Sequence, residues 1–288
     1  MMRPFSFARL NAAGLAAVLC FLSAVPAQAA PCELTVSAAA SLTAAFKQIA
    51  ARFESSQACR VRLNFGASGV LVQQIRHGAP VDVLATADQQ SMDLAVQHGL
   101  INPKSRQDFI ANTLVLIAPV GSAILSGIAP GGSERSVSLL SAAGLGGMPA
   151  SSKSQAVLLQ QLSKPQVERI AIGNPASVPA GRYAKEALQH AGLAKALEAK
   201  LVSGTHVRQV LDYVVRNEVE AGFVYASDAK GQQVLQLGAV ATRTAIRYPL
   251  AISTAPVNPA AALAFSHFVR SEAAQQILLQ HGFSAKGE

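Results

Sequence analysis

Charged and aromatic residues are scarce in this chain of 288 residues. Asp, Glu, Lys and Arg make up 14% of the sequence, whereas they make up about 25% of an average soluble domain. Aromatic residues make up 5%, and Trp is absent. Half of the residues are nevertheless hydrophobic, which excludes an intrinsically disordered chain. The 21 Gly and 14 Pro follow no period, which excludes a collagen-like chain. The length predicts two lobes or domains.

Only one long apolar run occurs, and it lies at the N-terminus, in residues 10–25. Arg3 and Arg9 precede this run, and the small-residue pattern of a cleavage site follows it at Ala27-Gln28-Ala29. We therefore predict that residues 1–29 are a signal peptide and that the mature protein is periplasmic. A membrane span is disfavoured because no second apolar stretch of about 20 residues follows. Removal of the two Arg lowers the formal net charge from +8 to +6.

Cysteine is also rare, with three in the whole chain. Cys20 lies in the predicted signal peptide, which leaves Cys32 and Cys59. An even pair in an exported chain favours a disulfide, and each Cys stands just before an apolar run. If these runs are neighbouring parallel strands, the two Cys lie at the same end and can be bridged. Two free thiols are the alternative.

Apolar strands, small-residue turns and helices alternate along the mature chain. Strands are expected at residues 34–37, 61–65 and 81–85, and each is followed by a helical pattern. Strands separated by helices are typical of βαβ units, which form a parallel sheet. A fourth strand is expected at 113–118, and Thr205 is expected to cap a later helix.

Hydroxyl residues stand at the expected carboxyl ends of three strands. Ser41, Ser68 and Thr86 each open a helix. Open α/β sheets bind ligands at these ends, and helix N-termini present free N–H groups and a positive dipole end that suit anions. The pattern therefore indicates an anion site, although each Ser taken alone is also explained as an ordinary N-cap.

Five segments in order resemble the periplasmic molybdate-binding proteins, the substrate-binding components of molybdate ABC transporters. They are residues 38–42 (AAASL), 64–69 (NFGASG), 78–88 (GAPVDVLATAD), 173–188 (GNPASVPAGRYAKEAL) and 216–229 (RNEVEAGFVYASDA). Together they span nearly the whole mature chain, and an ordered set is far more specific than any single motif. The match is poor in the Gly-rich residues 127–150.

The resemblance implies an α/β fold of the two-lobed periplasmic binding protein type (type II). Each lobe would hold a mixed, mainly parallel sheet, and two crossing strands would form the hinge. Lobe 1 would comprise residues 30–114 and 251–288, and lobe 2 residues 115–250. The crossings would fall near Leu114-Val115 and Pro249-Leu250.

The resemblance also implies an oxyanion site without charged side chains. The positions that match the family's ligands are Ser41 and Ser68, through hydroxyl and backbone N–H groups, Ala180 and Val207, through backbone N–H groups, and Tyr225, through its phenol. Molybdenum would be held only through its oxygens, so no protein group would ligate the metal directly. Without the family match, Ala180 and Val207 would pass as core helix residues and Tyr225 as a packing residue.

The function implied is high-affinity binding of molybdate, and of the similarly sized tungstate, with delivery to an inner-membrane ABC permease. The protein would act as a monomer without a cofactor and would catalyse nothing. Another tetrahedral oxyanion, such as sulfate or phosphate, is the alternative ligand. A serine hydrolase of the penicillin-binding type is a weaker alternative, based on Ser227-Asp228-Ala229-Lys230 without its usual partner motif. Nucleic acid is disfavoured because the basic residues are scattered.

One residue departs from the neutral site. Arg182 lies in the first turn of the helix that carries Ala180, where a cation opposes the helix dipole. Its side chain either points to solvent or reaches towards the anion.

Overall fold

The computed structural model describes residues 32–122 and 152–285. The predicted signal peptide and the Gly-rich residues 127–150 lie outside the described residues. No helix within these two ranges is long and apolar enough to cross a membrane.

The first sheet has five strands in the order β2-β1-β3-β10-β4. Strand β10 runs antiparallel to both of its neighbours, and β1 is parallel to β2 and β3. Its strands are β1 (Cys32–Ala39), β2 (Cys59–Gly66), β3 (Val83–Ala85), β4 (Gln107–Asn112) and β10 (Ile246–Ile252). Five helices belong to this lobe: α1 (Thr43–Ser56), α2 (Ser68–Arg76), α3 (Gln89–Gln97), α9 (Pro259–Val269) and α10 (Glu272–Gln280).

The second sheet repeats this plan in the order β7-β6-β8-β5-β9. In this sheet β5 runs antiparallel to both of its neighbours, β8 and β9, whereas β6 is parallel to β7 and β8. Its strands are β5 (Leu114–Pro119), β6 (Ile170–Gly173), β7 (Leu201–Gly204), β8 (Ala221–Tyr225) and β9 (Val234–Val240). The helices of this lobe are α4 (Ser152–Gln160), α5 (Pro179–His190), α6 (Ala194–Leu197), α7 (Val207–Val215) and α8 (Ala226–Ala229). The predicted two-lobed fold with mixed sheets is confirmed.

Helix α1 shows how the apolar spacing produces this packing. The predicted apolar stripe is buried, including Phe46, Ile49 and Phe53. Phe46 and Phe53 contact the ring of Phe265 on α9 edge-on, at centroid distances of 6.2 and 5.2 Å. Buried aromatic pairs in this arrangement contribute beyond the area that they bury. The few aromatic residues of the chain are therefore concentrated in the core of this lobe.

The chain passes between the sheets twice. It leaves the first sheet at Asn112 and enters the second at Leu114, so a single residue, Thr113, joins the two strands. It returns between Val240 and Ile246, a few residues before the predicted crossing near Pro249-Leu250. All of β10 lies in the first sheet, and its sequence carries no local signal of the change from one sheet to the other. The lobe boundaries themselves stay a prediction.

The predicted disulfide is present. Cys32 and Cys59 are direct register partners on the parallel strands β1 and β2, with Cα atoms 4.5 Å apart. The bond therefore joins the two strands at their N-terminal ends, as expected.

The start of helix α7 differs from the prediction. His206, not Thr205, caps the helix, because its Nδ1 accepts a hydrogen bond from the Gln209 N–H at 3.1 Å. Thr205 instead donates twice to the Gln209 side chain, through its N–H and its hydroxyl. His206 is thus occupied at the helix terminus.

Candidate oxyanion site

The five predicted site residues line one cavity between the two lobes. Ser41 and Ser68 come from the first lobe, and Ala180, Val207 and Tyr225 come from the second. The cavity is small, with a volume of about 10 Å³. All five residues are buried, with relative exposures between 0 and 5%. The structure brings these five residues together, and their roles as ligands stay a prediction.

Ser41 lies on a short 3-10 turn, Ala40–Leu42, directly after strand β1. The N-cap position of this turn is Ala39, and no side chain caps it. The hydroxyl of Ser41 instead lies 2.9 Å from the hydroxyl of Tyr248 on β10. The alternative of an ordinary N-cap is therefore wrong for this residue.

Ser68 occupies the equivalent place after strand β2. It is the first residue of α2, whose N-cap is Ala67, and its side chain makes no capping bond. Its hydroxyl oxygen accepts a hydrogen bond from the backbone N–H of Ala87 at 3.0 Å. Here, too, the N-cap alternative is wrong, and the hydroxyl hydrogen is not needed to satisfy the helix.

The second lobe contributes two helix N-termini. Ala180 is the second residue of α5, and Val207 is the first residue of α7. N–H groups in the first turn of a helix have no acceptor within the helix, and they carry the positive end of its dipole. The start of α5 packs tightly on β6, since a Cβ on Gly181 would lie 1.8 Å from the carbonyl oxygen of Gly173. Only Gly permits this close approach of α5 to β6, next to Ala180 in the cavity wall.

Tyr225 closes the site at the end of β8. Its side chain is 1% exposed, and within the described residues its hydroxyl has no hydrogen-bond partner. Burial, followed by the neighbouring Tyr248 and other acidic groups, raises the pKa of Tyr225 well above its ordinary value of 10.0. The phenol is therefore protonated and available as a donor. An unpartnered buried hydroxyl is costly, so its position here suits a ligand that accepts a hydrogen bond.

Arg182 takes neither of the two predicted positions. Its guanidinium reaches across the cleft to Asp88 in the first lobe, with Nη2 and Nε at 2.6 and 3.0 Å from Oδ2. Nη2 also donates to the hydroxyl of Ser91 at 2.8 Å. Asp88 additionally caps α3, as predicted, by accepting from the Ser91 N–H. The charge of Arg182 is thus paired between the lobes, and the residues lining the cavity are uncharged.

The lobes also meet through their backbones. The Gly69 N–H donates to the carbonyl oxygen of Ser177 at 3.0 Å. A Cβ on Gly69 would lie 2.9 Å from the same oxygen, closer than real Cβ contacts. This cross-cleft bond and the Arg182–Asp88 pair hold the two lobes together over the cavity.

Two polar residues beside the site escaped the sequence analysis. Tyr248 and Asn112 are both buried, and the Asn112 amide donates to Tyr248 at 3.2 Å and to Ser227 at 2.8 Å. Tyr248 lies in an apolar run, and no local pattern marks it. Ser227, the candidate nucleophile of the hydrolase alternative, is thereby occupied as an acceptor.

A buried carboxyl group also lies near the site. Asp228 is 1% exposed, and burial raises its pKa to about 7. The Arg208 guanidinium, 4.0 Å away, and the backbone of Tyr225 offset this only in part. Within the described ranges, no group of three His, Cys, Asp or Glu residues is arranged to hold a metal ion.

Comparison with known proteins agrees with this fold. A family model described as bacterial extracellular solute-binding protein matches residues 34–284. The molybdate-binding protein ModA of Escherichia coli is 35% identical over 273 residues, covering 94% of this chain and 96% of its own. The ModA of Haemophilus influenzae is 31% identical and covers 90% and 92%. The periplasmic molybdate-binding protein of Azotobacter vinelandii has a similar fold, with a TM-score of 0.67, 22% identity and coverage of 87% and 98%.

Two mixed sheets joined by two crossings, with a cavity at the meeting of the lobes, define a solute-binding protein. The chain belongs to the bacterial extracellular solute-binding protein family. Within it, the resemblance to the periplasmic molybdate-binding proteins is confirmed.

Proposed function

We propose that this protein binds molybdate and delivers it to an ABC permease in the membrane. The observation that carries the proposal is the convergence of two serine hydroxyls, a phenol and two helix N-termini on one uncharged cavity. Each of these groups can donate a hydrogen bond, so the cavity suits a ligand rich in acceptors. Relatives named as molybdate-binding proteins support this choice of anion.

Neutral donors are sufficient for tight binding. A hydrogen bond to a charged acceptor contributes about 1.5–3 kcal/mol. Five to seven bonds at the upper end of this range contribute about 15–21 kcal/mol, and the roughly 8 kcal/mol of micromolar binding remains once an association cost of about 7–13 kcal/mol is subtracted. Selectivity among tetrahedral oxyanions then depends on the size of the closed cavity and on the placement of its donors.

Tungstate is expected to bind as well, because it is nearly the same size as molybdate. The protein would act as a monomer and without a cofactor. Export by the signal peptide would place it in the periplasm, where it would capture the anion by closing its lobes. N-terminal sequencing of the protein from the periplasmic fraction tests the expected cleavage after Ala29.

Calorimetric titration with molybdate, tungstate, sulfate and phosphate tests the ligand. We expect micromolar or tighter dissociation constants for molybdate and tungstate and much weaker binding of sulfate and phosphate. Ser68→Ala should weaken molybdate binding, because it removes one donor. Tight binding of sulfate or phosphate with no heat from molybdate would refute the proposal in favour of the alternative oxyanions.

A further inference from the structure

Tyr248 joins the predicted anion ligand Ser41 to the crossing between the lobes. Its hydroxyl lies 2.9 Å from the Ser41 hydroxyl and 3.2 Å from the Asn112 amide. The residue is fully buried, and its ring contacts Tyr225 at a centroid distance of 5.8 Å. Three polar groups from β4, β10 and the turn after β1 therefore form one chain that ends at the cavity.

The orientation of the Asn112 amide sets the direction of this chain. Its Oδ1 accepts a hydrogen bond from the Thr113 N–H at 2.9 Å, so the group facing Tyr248 and Ser227 is the Nδ2 amine, which can only donate. The Tyr248 oxygen must then accept from Asn112. If Ser41 donated instead, the buried phenol hydrogen would have no acceptor within the described residues, so this hydrogen is assigned to the Ser41 oxygen.

The same logic applies one step further on. The Ser41 oxygen accepts from Tyr248, so the hydrogen of Ser41 is free for the cavity. Burial raises the pKa of Tyr248 well above its ordinary value of 10.0, which keeps this hydrogen in place. Ser68 is oriented in a parallel way, because its oxygen accepts from the Ala87 N–H. Both serines therefore present a hydrogen to the same cavity.

We propose that Tyr248 and Asn112 are positioning residues that commit the Ser41 hydroxyl to donation and thereby set the selectivity for fully deprotonated oxyanions. An ion that carries its own proton, such as hydrogen phosphate, needs an acceptor in the cavity, and this chain occupies one of the two acceptor positions of the Ser41 oxygen. Chains of hydrogen bonds also strengthen one another in a buried environment. The inference rests on the proposed function, since it concerns the ligand of the same site.

Tyr248→Phe tests the proposal, because it keeps the ring and removes only the hydroxyl. We expect molybdate affinity to fall by about tenfold, since Ser41 loses its oriented hydrogen. Phosphate affinity should stay the same or rise, because the Ser41 oxygen regains an accepting site. The ratio of molybdate to phosphate affinity should therefore shrink by at least about tenfold. Tyr213→Phe, on the half-buried face of α7 and outside the cavity wall, is the matched control and should leave the ratio unchanged.

A double-mutant cycle separates positioning from a general structural effect. If Tyr248 acts through Ser41, Tyr248→Phe should change molybdate affinity by less than about twofold in the Ser41→Ala background. An unchanged molybdate-to-phosphate ratio in Tyr248→Phe, or equal losses in both backgrounds, would overturn the inference. If the unmodified protein prefers sulfate, the proposed function fails, and the double-mutant cycle is then evaluated from sulfate affinities instead. No binding of any of these anions by the unmodified protein would overturn both.

Discussion

The hydroxyl of Tyr225 is a donor that the described residues leave without a partner. Tyr225→Phe should therefore cost the ligand-free protein no stability, since no hydrogen bond within it is lost. Molybdate affinity should fall by about 10- to 100-fold, the effect of losing one bond to a charged acceptor. Calorimetric titration and thermal unfolding without ligand measure the two effects. A large loss of thermal stability without molybdate would show that the phenol has a structural partner instead.

The buried carboxyl of Asp228 gives a pH dependence of stability. Its pKa is about 7 in the folded protein against an ordinary value of 3.8. Between these values the folded state binds more protons than the unfolded state, so this group lowers stability as the pH rises from about 4 to about 7. Above pH 7 the resulting loss of folding stability levels off at about 4 kcal/mol.

Asp228→Asn removes this titration. We expect its melting temperature to fall less between pH 4 and pH 8 than that of the unmodified protein. Asp212→Asn, an exposed carboxyl on α7, is the control and should follow the unmodified protein. Parallel melting curves for the Asp228 and Asp212 variants across this range would contradict the assignment.

Single residues were predictable where their neighbours in sequence carry the signal. Ser41 and Ser68 each lie in the segment where a strand gives way to a helix, so turn chemistry and the ordered motifs identify them. Tyr248 and Asn112 were missed because their partners are distant, with 207 residues separating Tyr248 from Ser41. A contact of that kind depends on sheet order, which local spacing does not encode.

Among the structural elements, the pair of strands β1 and β2 carries the one covalent link. The disulfide closes a loop with a sequence separation of 27 residues, which corresponds to about 3 kcal/mol in the chain-entropy model. The double variant Cys32→Ser, Cys59→Ser should therefore melt about 6–12 °C lower. The Asn258 amide, which donates to the Cys32 sulfur at 3.0 Å, can still donate to a serine oxygen there.

Reduction of the unmodified protein is the matching experiment. A reducing agent should lower its melting temperature to about that of the double variant and should leave the variant unchanged. The same melting temperature for both proteins without reducing agent would show that the bond contributes nothing to stability.

The elements that the sequence analysis missed are mainly edge strands. Among the described strands, β4, β7 and β9 each lie at the end of a sheet order, and the outer side of β4 pairs only through the single bridge from Ala111 to Ser284. Strands β7 and β9 are largely half-exposed, and β4 begins with the polar Gln107 and Asp108. Their apolar patterns are weak for this reason. The central strands are buried on both faces, so their apolar runs are easily recognised in the sequence.

In the molecule as a whole, the two lobes are joined across the cleft by the pair of Arg182 and Asp88. The side chains are 19% and 5% exposed, so most of their water is lost when the lobes meet. Opening would return both charges to solvent and break the bond to Ser91. The charge-assisted hydrogen bonds of Arg182 to Asp88 and Ser91 favour the closed form, and the removal of both charges from water opposes it.

Arg182→Ala should weaken molybdate binding by about tenfold, and chiefly through a faster dissociation rate. The residue lies outside the cavity wall, so the loss would come from closure and not from a missing ligand donor. Thermal stability without molybdate should fall little, because the arginine opposes the dipole of α5 in its first turn.

Stopped-flow dissociation and small-angle scattering with and without molybdate measure the two states. Arg216→Ala, at an exposed side chain, is the control. An unchanged dissociation rate in Arg182→Ala would mean that the ligand alone holds the lobes closed.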